Sequence, residues 1–326
     1  MSYHHIPAMP DEVIHFLDCR PGQCVVDCTL GGAGHAADIC RKITPEGIFI
    51  GIDQDMDAIQ NAEKALPVQG IRKHLIHANF SELPVILQDL GIRGVDGILM
   101  DLGISLHHIE GSGRGFSFRK NEPLDMRMDM TSRLTAREIV NTMPEKELKR
   151  LFFTLGEERL AGPIARKIAA ERAAGPIETS DHLAEIVKKA VPVALSSQRI
   201  HPATRVFMAL RIAVNRELDH LETFMEKVPD LLNPGGRICV LSFHSLEDRI
   251  VKTQFRIHAN PCTCPPKLPF CVCGKKPLLK VLTRRVVRPS DKEVEMNPMA
   301  RSTRLRAAQK IYRQPDADRV ENEPES

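Results

Sequence analysis

The run Val25-Val26-Asp27-Cys28-Thr29-Leu30 passes directly into Gly31-Gly32-Ala33-Gly34-His35, so an apolar strand carrying an acid near its end opens onto a glycine-rich turn. Such a turn lets the backbone approach a nucleotide-like ligand closely. About twenty residues after the first glycine, the spacing typical of nucleotide-binding βα units, Gly47-Ile48-Phe49-Ile50-Gly51-Ile52-Asp53 forms a second apolar run closed by an acid. Asp53 is thereby placed to hydrogen-bond a ribose diol. Gly97-Ile98-Leu99-Met100-Asp101 repeats the pattern. Three successive strands are expected to deliver carboxylates to one sheet edge, where ligands bind in doubly wound folds.

Two cofactors compete for this turn. Gly32-x-Gly34-x-x-Ala37 satisfies the dinucleotide spacing G-x-G-x-x-G/A, which would make the chain a dinucleotide-dependent oxidoreductase. Nothing after the turn supplies an evident hydride-transfer centre, whereas Asp27 suits a cationic or polar ligand. Asp27-x-x-x-Gly31, Asp53 and Asp101 together resemble the motifs of Rossmann-like methyltransferases, which implies S-adenosyl-L-methionine as the cofactor. The plainest reading is that the glycines only permit a tight βα turn and the acids cap helices.

A chain of 326 residues is long for one compact domain, and two lobes sharing a core are expected. No apolar run is long enough to span a bilayer, and Met1-Ser2-Tyr3-His4-His5 lacks the features of a secretory signal. A cytoplasmic protein without membrane contact is expected, its nine cysteines reduced. Strand-like runs fade between Leu106 and Arg199, where Ala136–Met143, Glu145–Leu155, Glu158–Arg172 and Ser180–Ala190 show helical spacing. Ala203–Leu221 reads as one more helix, Arg237–Phe243 as a returning strand, and Ser245-Leu246-Glu247-Asp248 as a capping box. Leu278–Val287 and Arg304–Ile311 are candidate final strands, the second ambiguous with helix, and Asp11 is the expected cap of a short first helix. The expected fold is α/β, a Rossmann-like S-adenosylmethionine-dependent methyltransferase core with an inserted helical domain. Its divisions are 1–106, first part of the core; 107–199, helical insertion for substrate recognition; 200–313, second part with a basic C-terminal segment; and 314–326, a disordered acidic tail.

Net charge is only +3 but unevenly placed: between Lys275 and Arg313 twelve Lys or Arg face Asp291, Glu293 and Glu295, a local excess of +9. A basic lobe fits phosphate contacts; an ordinary solvated face is the alternative. Cys262-x-Cys264 and Cys271-x-Cys273 bracket a proline-rich loop. Four thiolates so gathered suit a structural zinc ion, with no open position for catalysis; four free thiols are the alternative.

Longer words identify a family. Arg114-Gly115-Phe116-Ser117-Phe118, Pro123-Leu124-Asp125-Met126-Arg127-Met128-Asp129, Gly156-Glu157-Glu158-Arg159, His201-Pro202-Ala203-Thr204-Arg205, Ala209-Leu210-Arg211-Ile212-Ala213-Val214-Asn215 and Ser242-Phe243-His244-Ser245-Leu246-Glu247-Asp248-Arg249, with the glycine turn and Asp101-Leu102-Gly103-Ile104-Ser105, resemble the bacterial 16S ribosomal RNA (cytosine-N4)-methyltransferases, the RsmH or MraW family. The resemblance spans almost the whole chain. It implies methylation of one cytidine in the decoding region of 16S rRNA within the small ribosomal subunit, on the exocyclic nitrogen. A non-catalytic ribosome-assembly factor with a nucleotide pocket is the second reading, and a homodimer is left open.

By the same resemblance, cofactor contacts fall on Ala33, Gly34, His35, Asp53, Phe80, Asp101 and His108, where glutamine is usual. Leu106 stands where a second serine is usual, and Met299 where arginine is. Asp101 is the candidate for orienting the acceptor amine, or else serves the cofactor alone. His201, Arg205, Asn215, Ser242 and His244 are the candidate RNA-pocket residues. Met126, Met128 and Met130 read as packing of the insertion or as an adaptable contact surface.

Overall fold

The computed structural model describes residues 6–66, 69–192, 201–265 and 270–312. Its first half alternates helix and strand: α1 (Pro10–Leu17), β1 (Cys24–Asp27), α2 (Gly34–Ile43), β2 (Ile48–Asp53), α3 (Met56–Ala65), β3 (Arg72–His77), α4 (Leu83–Asp89), β4 (Val95–Asp101) and α5 (Leu106–Glu110). Among the described residues that follow are the helices α6 (Ala136–Thr142), α7 (Glu145–Gly156), α8 (Ala161–Ala174), α9 (Ser180–Ala190) and α10 (Ala203–Asn215). The chain then returns through α11 (Glu217–Leu231), β5 (Leu232–Ser242), α12 (Ser245–Ala259), β6 (Leu279–Val281), α13 (Asp291–Met296) and β7 (Arg304–Lys310).

The seven strands form one sheet in the order β3-β2-β1-β4-β5-β7-β6, with β7 antiparallel to both of its neighbours and the other pairings parallel. Val25, Val26, Ile98, Leu99 and Met100 are fully buried, as expected of parallel strands covered by helices on both faces. The order reverses between β1 and β4, and the crevice at their carboxyl ends is where such sheets bind ligands. A separate apolar cluster joins Met126, Phe152, Ile164, Ile168 and Leu183 of the 107–192 segment to Val206, Phe207 and Leu210 of α10. Helix α10 therefore packs with the helical segment that precedes it.

Several expectations are corrected. A strand, β3, intervenes between the second and third acid-ended strands; it carries Arg72, Lys73, His74 and His77 and lies half-exposed at the sheet edge, so no apolar run announced it. In space, nevertheless, β2, β1 and β4 are adjacent. Ala203–Leu221 is two helices, broken at Arg216 in the left-handed conformation (φ 49°). The helix expected from Glu158 begins at Ala161, and β5 begins at Leu232, ahead of the Pro234-Gly235-Gly236 turn signal, with a register irregularity absorbing it. Met9, not Asp11, is the cap position of α1, and His244 with Glu247, one residue before the expected pair, forms the capping box of α12. Arg304–Lys310 is a strand, whereas only Leu279–Val281 of the 278–287 run is one. Met126 and Met128 are buried packing residues and Met130 is half exposed. Tyr3, Arg313 and the acidic tail lie outside the described residues. No described helix is long and apolar enough to cross a membrane.

Candidate active site

Strand register brings the three acids to one edge, and the turns that follow decide what each does. Asp27 is buried, its Oδ1 accepting the Thr29 N–H at 3.1 Å, and it does not line the cavity; the expectation of a ligand contact there is corrected. Burial pushes its carboxyl well above the usual range. It braces the turn. Asp53 does reach the cavity, with Oδ2 accepting from Gly31 N at 3.0 Å and Oδ1 from Asp55 N at 2.9 Å. Burial raises its pKa while the two backbone donors oppose the rise. Gly31 holds φ +45°, which suits glycine, and Gly51 accepts Leu30 so closely that a Cβ there would meet its Cδ2 at 2.7 Å. Sheet and glycine turn are thus locked together.

Asp101 ends β4, its backbone N–H donating to Thr29 Oγ1 at 2.7 Å. Its Oδ1 is buried with no hydrogen-bond partner among the described residues, and Oδ2 lies 3.8 Å from His35 Nε2. Burial, then the negative charge of Glu247, pushes the Asp101 carboxyl up to about 7. Burial would likewise raise Glu247, yet its pKa is lowered, because His244 Nε2 stands 3.1 Å away, Arg211 is close and Phe243 N donates to it at 2.9 Å. Arg211 in turn forks onto Glu217 at 2.8 and 2.9 Å. A charged pair therefore stands behind a neutralisable acid.

The cavity between these groups holds about 420 Å³, within the roughly 300–1,000 Å³ of small-molecule sites. One wall is Gly31, Gly32, Gly34, His35, Asp53 and Asp101; the other includes Asn215, Glu217, His220, Phe243, Glu247 and Asn297. Among the described lining residues are five carboxylates (Asp53, Asp101, Glu110, Glu217 and Glu247) and no Lys or Arg. Such a lining favours a cationic ligand.

Of the expected cofactor residues, Gly34, His35, Asp53, Phe80, Asp101 and His108 line the cavity. Ala33 does not: it is the left-handed residue before α2 (φ 63°), its methyl buried in the sheet core. Phe80 packs edge-on against Phe224. His108 Nδ1 accepts from Ser105 N at 3.2 Å, and its Nε2 lies 2.8 Å from Asp55 Oδ2. Arg114 donates to the same oxygen at 2.6 Å. Burial alone would raise Asp55, but His108 and Arg114 outweigh it and hold the carboxyl at about 2.

The expected RNA-pocket residues fare less well. Asn215 lines the cavity, but its amide is spent on Met128 N and Met126 O, both at 2.8 Å. His201, Arg205, Ser242 and His244 are off the lining. His201 stacks on Phe118 with centroids 4.4 Å apart, Ser242 Oγ donates to Arg304 O at 3.3 Å, Arg205 is exposed, and His244 caps α12 while bracing Glu247. Asn215, Ser242 and His244 are thus engaged in structural contacts, whereas His201 and Arg205 are exposed away from the cavity. Glu217 and His220 carried no signal; Glu247 was legible only as a helix cap.

The sheet order, its glycine turn and a ligand cavity at the switch point define the class of Rossmann-like methyltransferases, whose methyl donor is S-adenosylmethionine. The model of the MraW methylase family matches residues 2–311. The protein named ribosomal RNA small subunit methyltransferase H from Desulforapulum autotrophicum is 54% identical over 312 residues, covering 95% of this chain and all of that one. Proteins of the same name from Desulfosudis oleivorans and Geobacter sulfurreducens are 52% and 50% identical, each with 95% of this chain and 100% of theirs covered. The chain belongs to the MraW methylase family.

Proposed function

We propose that this chain transfers the methyl group of S-adenosylmethionine to the exocyclic N4 of a cytidine in the decoding region of 16S rRNA, with the small ribosomal subunit as substrate. The cavity beside the glycine turn, whose described lining has five carboxylates and no Lys or Arg, carries the cofactor reading. A sulfonium and an ammonium group gain from such walls, whereas the pyrophosphate of a dinucleotide would be repelled. The names of the relatives support small-subunit ribosomal RNA as the substrate class, and the N4 position and decoding-region cytidine rest on the family resemblance of the sequence words.

The residues fit the donor. Asp53 sits where a ribose diol would find an acceptor, although its oxygens now hold Gly31 and Asp55. Asp101 offers a buried, unpartnered oxygen to a donor group. When bound, S-adenosylmethionine supplies an electrophilic methyl on a cationic sulfur. For an amine, in-line attack needs positioning above all. Asp101, poised at about 7, is matched to accept the proton the nitrogen gives up as it gains the methyl. The helices between Ala136 and Ala190 and the exposed basic residues toward the C-terminus present the RNA.

The test is tritium transfer from labelled S-adenosylmethionine to small subunits from a strain lacking the enzyme, followed by nucleoside analysis. Label in N4-methylcytidine is the expected result. Absence of label with intact cofactor binding would replace the enzyme with an assembly factor, and calorimetric binding of nicotinamide dinucleotides alone would replace it with an oxidoreductase.

A further inference from the structure

We infer that Cys262, Cys264, Cys271 and Cys273 form a tetrathiolate zinc site that pins the loop between α12 and β6. The four Sγ atoms all lie within 4.8 Å of one another. Cys271 is central, with Cys262, Cys264 and Cys273 at 3.5, 3.9 and 3.4 Å. A tetrahedron with Zn–S bonds of about 2.3 Å sets its sulfurs roughly 3.8 Å apart, close to these separations. Two disulfides would sort the sulfurs into two exclusive pairs, each about 2 Å apart. Here one sulfur shares three neighbours, which a metal accommodates and a disulfide does not.

The surroundings explain why the loop needs a metal. Its described residues between Ala259 and Leu279 form no helix or strand. Its large apolar side chains do not hold it, since Phe270 and Val272 are 80% and 77% exposed. They alternate with Cys271 and Cys273, and all four thiols gather at the surface, with Cys262 and Cys271 exposed and Cys264 and Cys273 half-buried. Val272 N–H donates to Cys264 Sγ at 3.4 Å, the kind of outer contact that orients a thiolate ligand. Exposed Lys275 and Lys276 offset part of the charge of four thiolates around a divalent ion. The loop ends are pinned together by Leu278 N–H donating to His258 O at 2.8 Å. With four thiolates the coordination sphere is closed, so the metal is structural. Its product is a rigid surface knuckle displaying Phe270, Val272 and two lysines.

Metal content tests this independently of methyl transfer. Protein purified under reducing conditions without chelator should carry about one zinc per chain by plasma mass spectrometry. Cobalt(II) replacing it in the wild-type chain should give the thiolate charge-transfer and tetrahedral ligand-field bands of a four-sulfur site. Cys271→Ser should cut zinc retention at least about tenfold, whereas Cys19→Ser, a half-buried thiol beside α1, should leave it unchanged. Wild-type protein that holds less than about a tenth of a zinc per chain, even after incubation with excess zinc and reductant, would overturn the inference. So would zinc retained in full by Cys271→Ser, or a mass four hydrogens low with no metal, which would make the cluster two disulfides. The wild-type measurements stand even if the variant does not fold.

Discussion

The two walls of the cavity are built on opposite plans. The glycine-turn wall is set by backbone: Asp27 pairs in register with Gly51 on one side and Leu99 on the other, so strand pairing alone brings Gly31, Asp53 and Asp101 together. The facing wall is set by side chains from the α10–α11 junction, the start of α12 and the stretch after α13, fixed by the Arg211–Glu217 fork and the His244–Glu247 contact. The first plan is robust because moving one residue means moving a strand. The second depends on charge, and its acid and base partners tune whatever faces them. In the proposed function the cofactor takes the first wall and the substrate the second.

The sharpest break between the walls is expected at Asp101, which belongs to one by position and to the other by electrostatics. Asp101→Asn should lower kcat by about 10²–10⁴-fold, the usual reach of general base catalysis, while the cofactor Kd moves by less than about tenfold. Parallel losses in single-turnover rate and in calorimetric Kd would assign Asp101 to the cofactor alone. The pH dependence has a definite sign. A proton acceptor works when ionised, so wild-type single-turnover rates should rise with pH through about 7, the value at which burial and Glu247 hold the acid. Glu247→Gln removes the neighbouring charge, so the rise should shift to lower pH; an unmoved profile would separate Glu247 from Asp101.

The same contrast explains what was legible in the sequence. Val25–Asp27, Ile48–Asp53 and Ile98–Asp101 announce themselves because parallel strands buried on both faces are continuous apolar runs, and a turn that needs positive φ shows its glycine. Strand β3 escaped because an edge strand tolerates Arg72, Lys73 and two histidines. Ala33 lies off the cavity although its neighbours Gly32 and Gly34 line it, a difference of one position that no sequence pattern marks. The far wall was hidden more deeply: Glu217 faces Glu247 only because the chain breaks at Arg216 and α12 starts at the sheet edge. In words such as His201–Arg205, no pattern shows that the histidine stacks on Phe118.

Behind the glycine-turn wall, Asp55→Ala should cost about 3–5 kcal/mol of folding stability, because it leaves Arg114 buried without its closest counter-charge. Urea titration measures it, and a loss under about 1 kcal/mol would mean that Asp57, 3.3 Å from Arg114, suffices. Because His108 and Arg114 hold the Asp55 pKa below its unfolded value, this stabilisation is fully present above about pH 4 and is lost as pH falls through about 2. At the front of the same wall, Asp53→Ala should weaken cofactor binding by about 1–3 kcal/mol. Affinity equal to wild type would reduce Asp53 to a brace for Gly31.

The smallest effect is expected on the outer surface, where the basic C-terminal stretch divides into two kinds of arginine. Arg301, Arg304 and Arg306 look alike in sequence as phosphate ligands, but Arg306 forks onto Asp248 at 2.6 and 3.2 Å, and Arg304 lies 3.7 Å from the same carboxylate. These two hold β7 to α12. Arg284, Arg285 and Arg288 are exposed instead, so they are the better contacts for ribosomal phosphates. Arg284→Gln should raise the KM for small subunits a few-fold and flatten the dependence of log KM on log salt by about one phosphate contact, with cofactor affinity unchanged. Arg306→Gln should do the reverse, lowering the Tm while leaving the salt slope as in wild type. If instead Arg306→Gln flattened the slope and Arg284→Gln did not, the RNA would lie against β7 and α12, and its approach to the cavity would be from the Glu247 side.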